Sequence, residues 1–392
     1  MKTQSILTVT LLLALSVTPS ANLHARASRI ATPPTDGATR IRSDQWHLSY
    51  LDTKEAHQIS QGMGITVAVL DTGVYPHPDL RENLLSGFDL LEGGSGNGHQ
   101  DNSGHGTGMA GLIAAHGRGD GTGALGIAPQ ARILPIRSFK SNNEGDTDRL
   151  AESIEKAIAD GADIISISAG GGGVNSRLLR ALDAARAANI VIVASAGNRP
   201  DDAQIVWPAA STGVICVGGV DHRGAHAKVS VTGPRIDVVA PAVEIYSTSY
   251  DGLYSKGTGT SSAAAIVAGA AALIRAKYPY LPADEVAHRL TATAIDKGPP
   301  GRDDQYGYGV IDLVAALTAD VPPRGFESVP ATAPDDGSPT TAADGPRADE
   351  KSGTATVRGL VTLGVLLAGG GAWGLFARRR RRSDDPPPRI SR

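Results

Sequence analysis

Short, continuously apolar segments alternate with helical segments between about residues 45 and 319, and this alternation limits the fold more than any other feature. Residues 148–161 and 176–188 repeat apolar side chains at the spacing of amphipathic helices. The apolar segments are rich in β-branched residues and have the length of strands that are buried on both faces. They cover residues 64–71, 131–139, 162–169, 189–196 and 213–220. This order predicts an α/β fold with a mostly parallel central sheet.

The composition is compatible with a large folded domain and gives no support for a nucleic-acid partner. The 392 residues are 41% hydrophobic and 20% charged, as in ordinary globular proteins. A formal net charge of −3 provides no basic field for a polyanion, so no nucleic-acid binding is expected. The single cysteine, Cys216, lies in an apolar segment. It is therefore expected to be a buried small side chain, without a disulfide or a thiolate metal cluster.

The first 27 residues show the three regions of a secretory signal peptide. Lys2 precedes an apolar run over residues 6–17, and Ala25 and Ala27 have the spacing of a cleavage site. We therefore expect residues 1–27 to direct export. Residues 28–44 would then form a short N-terminal extension before the folded domain, which we place at residues 45–319.

The C-terminal part of the chain predicts a membrane anchor. Residues 320–356 are rich in Pro, Ala and Thr, which is typical of an extended linker. Residues 357–377 contain a long uncharged stretch and would cross the hydrocarbon core of a bilayer as a transmembrane helix. Five arginines open the remaining tail, residues 378–392, and such clusters favour the cytoplasmic side. The expected protein is single-pass in the cell membrane, with its folded domain extracytoplasmic.

Several polar residues follow the predicted strands, at the edge where open parallel sheets bind ligands. Asp71 ends the first of these segments, and two further groups, Ser168-Ala169-Gly170 and Ser195-Ala196-Gly197-Asn198, end later ones. His105 stands between glycines before a helix-like run, and Ser261 and Ser262 stand before another.

An acid, an imidazole and a hydroxyl in this arrangement are suited to nucleophilic catalysis. A serine hydroxyl attacks only when a neutral imidazole accepts its proton, and a carboxylate fixes the tautomer of that imidazole. Asn198 could donate to the oxyanion. Taken singly, His105 could be structural, Asn198 could cap a turn, and either serine could belong to a tightly packed helix start. Their joint order makes the catalytic interpretation the stronger one.

The segments VAVLDTGVYPHPDL, GHGTGMAG, SAGN and GTSSAA closely resemble the four motif blocks of subtilisin-like serine proteases. The resemblance covers about residues 45–319 and implies a three-layer subtilisin-like fold. It also implies a catalytic triad of Asp71, His105 and Ser261, with Asn198 in the oxyanion hole and Ser262 only a neighbour. The substrate would bind along Ser168, Ala169, Gly170, Ser195, Ala196 and Gly197.

The order of signal peptide, protease domain, linker, span and basic tail is similar to that of the mycosins, the membrane-anchored subtilases associated with type VII secretion. This resemblance implies an endopeptidase that cleaves exported proteins or peptides at the membrane, with secretion-machine components as partners. Two alternatives remain open. One is a mainly structural role in a secretion complex, and the other is a general degradative subtilase.

Some residues depart from the family pattern. Ala265 replaces a proline that follows the nucleophile, and alanine favours helix, so the geometry is expected to survive. Gly108 replaces a non-catalytic histidine, and the chain before Trp46 is short for a folded propeptide. Ala169 replaces a leucine and would leave a roomier pocket wall, whereas the glycines at 171–173 could equally form a loop without a role in specificity.

No cofactor is expected to be required. Structural calcium is common in the family, but the loop at residues 116–126 does not clearly match the calcium loop of the family. Asp79 and Asp120 are the candidate ligands if a calcium site exists.

Overall fold

A computed structural model describes residues 37–91, 96–119, 121–140, 146–171 and 173–324. The predicted signal peptide, most of the linker, the predicted transmembrane helix at 357–377 and the basic tail lie outside these ranges. Within the described residues, no helix is both long enough and apolar enough to cross a membrane.

The central sheet has seven strands in the described residues, and every pairing within it is parallel. The strands are β1 (Thr66–Asp71), β2 (Phe88–Asp89), β3 (Arg132–Arg137), β4 (Ile164–Ile167), β5 (Val191–Ser195), β6 (Val214–Val220) and β7 (Val238–Pro241). Their spatial order is β2-β3-β1-β4-β5-β6-β7. A separate antiparallel hairpin joins β8 (Ile245–Thr248) to β9 (Tyr254–Gly257).

The described helices lie around this sheet. They are α1 (Ala38–Asp44), α2 (Trp46–Tyr50), α3 (Thr53–Ile59), α4 (His105–Ala114), α5 (Thr147–Ala159), α6 (Ser176–Ala187), α7 (Thr260–Lys277), α8 (Ala283–Ala292) and α9 (Leu313–Thr318).

Side chains alternate between two hydrophobic cores because successive residues of a strand point to opposite faces. On β1, Val67 and Val69 pack with α4 and α7, whereas Ala68 and Leu70 pack with α5 and α6. Helices on both faces of a parallel sheet make three layers, so the predicted α/β fold is confirmed. Each strand predicted from an apolar segment is present, shortened by a few residues at its ends.

The folded part begins before residue 45. Ile41 of α1 is fully buried, and the Arg42 side chain donates to the backbone carbonyls of Thr122 and Gly123. The Gln45 amide exchanges hydrogen bonds with both backbone groups of Leu125, at 3.0 and 2.8 Å. The described part of the predicted extension therefore packs as a segment of the domain.

Candidate active site

Asp71, which is buried, and His105, which is partly buried, form a pair at the carboxyl end of β1. His105 is the first residue of α4, and its Nδ1 lies 2.7 Å from Asp71 Oδ1. The Thr72 backbone N–H donates to the same oxygen at 2.7 Å. Because an ionised carboxylate only accepts, Nδ1 carries the hydrogen and Nε2 is left as the acceptor. Nε2 has no hydrogen-bond partner among the described residues.

This pairing requires a close approach between the start of α4 and the loop after β1. A Cβ atom added to Gly106 would lie 2.1 Å from the Gly73 carbonyl oxygen and 3.1 Å from the Asp71 Cβ. Only glycine allows that approach. The glycine after His105 thus brings the imidazole within hydrogen-bond distance of the carboxylate.

Asp101 holds the loop that carries His105, and the sequence analysis did not single it out. Its Oδ1 accepts from the Thr72 hydroxyl and from the backbone N–H groups of Ser103 and Gly104. Its Oδ2 accepts from the backbone N–H and hydroxyl of Thr107 at 2.9 and 2.6 Å. The sequence did contain a signal for this role. An Asp that lies two to three residues before the backbone N–H groups from which it accepts hydrogen bonds is typical of an Asx turn.

Asp101→Ala is expected to lower the free energy of unfolding by about 3 kcal/mol, because several buried donors lose their acceptor together. Asp101→Asn keeps one acceptor oxygen and should lose less. Urea unfolding measures both, with the exposed Asp201→Ala as the matched control. An Asp101→Ala protein as stable as the Asp201→Ala protein would show that this network does not hold the loop.

Ser261 stands in the first turn of α7, where the sequence placed it. Its hydroxyl donates to the Ser168 carbonyl at 3.0 Å, and the Ser168 hydroxyl donates back to the Ser261 carbonyl at 3.3 Å. The structure therefore brings Ser261 to the end of β4 but does not pair it with His105. A change of the serine χ1 between staggered rotamers redirects the hydroxyl at little cost. Ala265 lies inside the unbroken helix α7, as expected.

The Asn198 side chain faces the same helix start. Its Oδ1 accepts from the Thr260 backbone N–H at 2.8 Å and from the Thr260 hydroxyl at 3.2 Å. Because Oδ1 faces Thr260, the donor nitrogen Nδ2 of the same amide points away from Thr260. The backbone is fixed as well, because the Asn198 N–H donates to Asp202 Oδ2 at 2.7 Å.

The residues predicted to bind substrate follow two neighbouring strands. Ser168, Ala169 and Gly170 follow β4, while Ser195 ends β5 and Ala196 and Gly197 follow it. The side chains of Ala169 and Ala196 belong to the core on the side of α5 and α6. The small residue at position 169 therefore packs in that core, and the roomier pocket wall stays a prediction.

Two other residues of interest lie away from this site. Cys216 is fully buried, and burial raises the pKa of its thiol well above the usual range, in accord with the small buried residue that was expected.

Both carboxylate oxygens of Asp79 accept hydrogen bonds within the protein. Oδ1 accepts from Arg118, and Oδ2 accepts from Tyr254 and the Ala124 N–H.

These contacts decide how Asp79 is charged and whether it fits a metal. Burial alone would raise the pKa of Asp79, but the hydrogen bonds from Tyr254, Arg118 and Ala124 outweigh it and lower the pKa. Because Asp79 is paired with Arg118, it does not fit the role of a calcium ligand. No cluster of three or more candidate metal ligands occurs in the described residues, and Asp120 lies outside them.

The described fold and site place the chain in a known class. A family model described as "Subtilase family" matches residues 62–309. Because that match covers more than half of the chain, the chain belongs to the subtilase family and is a subtilisin-like serine endopeptidase.

The chain is also similar to individual proteases. Subtilisin DY of Bacillus licheniformis is 38% identical over 260 residues, which cover 65% of this chain and 92% of that protein. The thermostable alkaline protease of Halalkalibacterium halodurans is 37% identical over 267 residues, 68% of this chain and 71% of that protein.

Solved structures point to a subgroup. The crystal structure of MycP1 from Mycobacterium smegmatis superposes with a TM-score of 0.65 at 30% identity, covering 76% of this chain and 92% of that one. The MycP3 protease from the type VII (ESX-3) secretion system superposes with a TM-score of 0.62 at 34% identity, covering 74% and 90%. The predicted resemblance to subtilases and to mycosins is confirmed.

Proposed function

We propose that this subtilase cleaves exported proteins through a covalent acyl-enzyme, with Ser261 as nucleophile, His105 as general base and Asp71 as the carboxylate that orients His105. The observation that carries the proposal is the 2.7 Å contact between His105 Nδ1 and Asp71 Oδ1. That contact leaves Nε2 as a proton acceptor, and Nε2 has no hydrogen-bond partner among the described residues.

In the proposed reaction the Ser261 hydroxyl turns from the Ser168 carbonyl toward His105 Nε2. The imidazole takes the hydroxyl proton as Oγ bonds to the scissile carbonyl carbon, and Asp71 stabilises the imidazolium that forms. His105 then gives this proton to the leaving amine as the peptide C–N bond breaks. Water, activated by the same imidazole, hydrolyses the acyl-enzyme and restores the Ser261 hydroxyl. We expect no cofactor to take part.

The negative charge of the tetrahedral intermediate would be met by two donors. Asn198 Nδ2 is the first, because Oδ1 is held by Thr260. The second is the Ser261 backbone N–H, which lies in the first turn of α7 and has no acceptor within the helix. The positive end of the helix dipole adds to this stabilisation.

The predicted signal peptide and membrane span support an extracytoplasmic, membrane-anchored enzyme. The likeness to MycP1 and MycP3, which are proteins of type VII secretion systems, supports a role beside such a machine. We propose that the tether confines the protease to a few exported substrates and brings it to secretion-machine components.

Asn198→Ala tests whether proteolysis is the main role. Removal of one oxyanion donor is expected to lower kcat by about 10²–10³, as in subtilisin, without disturbing the exterior of the domain. Processing of exported proteins should therefore fail in cells that hold a normal amount of Asn198→Ala at the membrane. Deletion of residues 359–392 is the matched control, since it keeps the site intact and removes the anchor.

Secretion and processing are compared by mass spectrometry of the exported proteins. If both proceed normally in Asn198→Ala and in Ser261→Ala cells but fail when the whole protein is absent, the main role is structural. Defective processing in Asn198→Ala with normal membrane abundance supports the enzymatic role.

A further inference from the structure

A cavity of about 1060 Å³ lies at the amino ends of β5 and β6, and we call it the amino-end cavity. Val191 and Val214, the first residues of these two strands, line it. None of Asp71, His105 and Ser261 lines it, because the proposed catalytic site is at the opposite edge of the sheet. The amino-end cavity is therefore a separate site that the proposed reaction does not use.

The last described part of the chain runs along α8 toward this cavity. The Arg289 side chain of α8 donates to the Ala319 carbonyl. Further on, the Arg324 backbone N–H donates to Glu285 Oε1 at 3.0 Å. The contact has thus moved four residues, or about 6 Å, toward the start of α8. Arg324, the last residue that the structure describes, is itself one of the residues that line the cavity.

The wall of the cavity combines apolar residues with a cationic group that lacks an acceptor. Ala187, Ile190 and Tyr308 supply apolar surface, and Tyr308 is 45% exposed. Arg235 lines the same cavity, and its Nη2 donates to the Ser211 carbonyl at 2.8 Å. Its Nε is buried and has no hydrogen-bond partner among the described residues. Such a buried N–H costs free energy unless an acceptor reaches it.

The acidic residues of the wall do not supply that acceptor. Each of the three carboxylates already accepts a hydrogen bond elsewhere. Asp183 accepts from Arg186, Asp237 accepts from the Cys216 backbone N–H, and Asp284 accepts from the Glu285 backbone N–H. The amino-end cavity therefore fits an occupant that brings an apolar side chain and an acceptor close together.

The residues that follow Arg324 carry this combination. They are Gly325, Phe326, Glu327 and Ser328. Phe326 is the only aromatic residue between Arg324 and Trp373, in a stretch that is otherwise rich in small residues and proline. Fully extended, four residues span at most about 14 Å. They need no more than that to enter a cavity that the preceding residue already lines.

We propose that residues 325–328 dock in the amino-end cavity, with the Phe326 side chain on its apolar wall and the Glu327 carboxylate as the acceptor for Arg235. The free linker then begins at Val329. Docking fixes the point at which the linker leaves the domain, at the edge of the sheet opposite to the proposed catalytic site. A linker that leaves there keeps clear of the strand ends at which substrate is expected to bind.

Digestion of the full-length protein in detergent with a glutamyl endopeptidase tests this docking, because the chain after Arg324 contains two glutamates, Glu327 and Glu350. Mass spectrometry follows the cut after each one. Each rate is divided by that of the same bond in a free peptide, of residues 321–333 or 344–356. The cut after Glu327 is expected to be at least about 30-fold slower than in its peptide, the opening equilibrium that burial of one phenylalanine supports. Glu350 should be cut at the rate of its peptide.

Four variants identify the contacts that protect Glu327. Phe326→Ala should bring its cleavage to within about threefold of the peptide rate. Tyr280→Ala is the matched control, since it removes an aromatic residue that is 76% exposed and does not line the cavity. Ala287→Trp fills the cavity from α8 and should expose Glu327 as Phe326→Ala does. Arg235→Lys keeps the charge but removes Nε, and should lower the protection at least about threefold.

Thermal unfolding shows which variants remain folded, and Phe326→Ala stays informative if Ala287→Trp does not fold. Protection of Glu327 that Phe326→Ala removes and Tyr280→Ala keeps supports the proposal. Equal relative rates at Glu327 and Glu350 in the wild type overturn it. So does protection that persists in Phe326→Ala, or in both Ala287→Trp and Arg235→Lys. Protection that disappears on dilution of the protein also overturns it, because a second copy then fills the cavity.

Discussion

Replacement of Ser261 by alanine is expected to lower kcat by about 10⁶, the loss seen when a triad residue of subtilisin is removed. The reason is that the Ser261 hydroxyl is the proposed nucleophile. It lies at the start of α7 beside the Ser168 carbonyl, next to Thr260, whose backbone N–H donates to the Asn198 amide oxygen. The residual rate would come from the oxyanion donors and from substrate binding, which the substitution leaves in place. Peptide turnover and fluorophosphonate labelling both measure the effect.

Ser262→Ala is the matched control, because it removes the same group one residue further along the helix. Ser262 is also buried, at 5% exposure compared with 6% for Ser261, so the two substitutions disturb packing to a similar degree. Most of the activity should survive in Ser262→Ala. Label that maps to Ser262, or that persists in Ser261→Ala, would refute the assignment of the nucleophile.

Asp71→Asn is expected to lower kcat by about 10⁴ at neutral pH. The side chain keeps its size, but its amide group can present a donor to His105 Nδ1 and so stabilise the tautomer that carries its hydrogen on Nε2. That tautomer cannot accept the proton of Ser261. The imidazolium would also lose its neighbouring charge. Steady-state kinetics of the purified protein measure the loss.

The exposed Asp304→Asn serves as the control for the change of charge. Thermal unfolding should show that both variants remain folded, so that a loss of rate in Asp71→Asn alone is assigned to chemistry. Near-normal turnover in Asp71→Asn would mean that the carboxylate contact at 2.7 Å is not used in the reaction.

Sequence patterns predicted the strands of the sheet because their signal is local. A strand buried on both faces must be apolar at every position, and β1, β4, β5 and β6 are fully or almost fully buried. β2, with two residues, and β7, with four, are too short to give such a pattern. The short helices α1–α3 were also missed, since they are stabilised by contacts with distant loops, such as that of Gln45 with Leu125.

The sequence by itself determined the α/β class, the strand ends at which Asp71 and Asn198 stand, and the helix starts that carry His105 and Ser261. Each of these follows from periodicity or from motifs within a few residues. Only the tertiary structure decided that Asp101 ties together Thr72 and Thr107, and that Val206 lies between Gly170 and Gly197. These contacts join residues up to 36 positions apart, as from 170 to 206, and depend on strand order. A local pattern carries no information about which distant side chain fills a gap, because packing in three dimensions decides it.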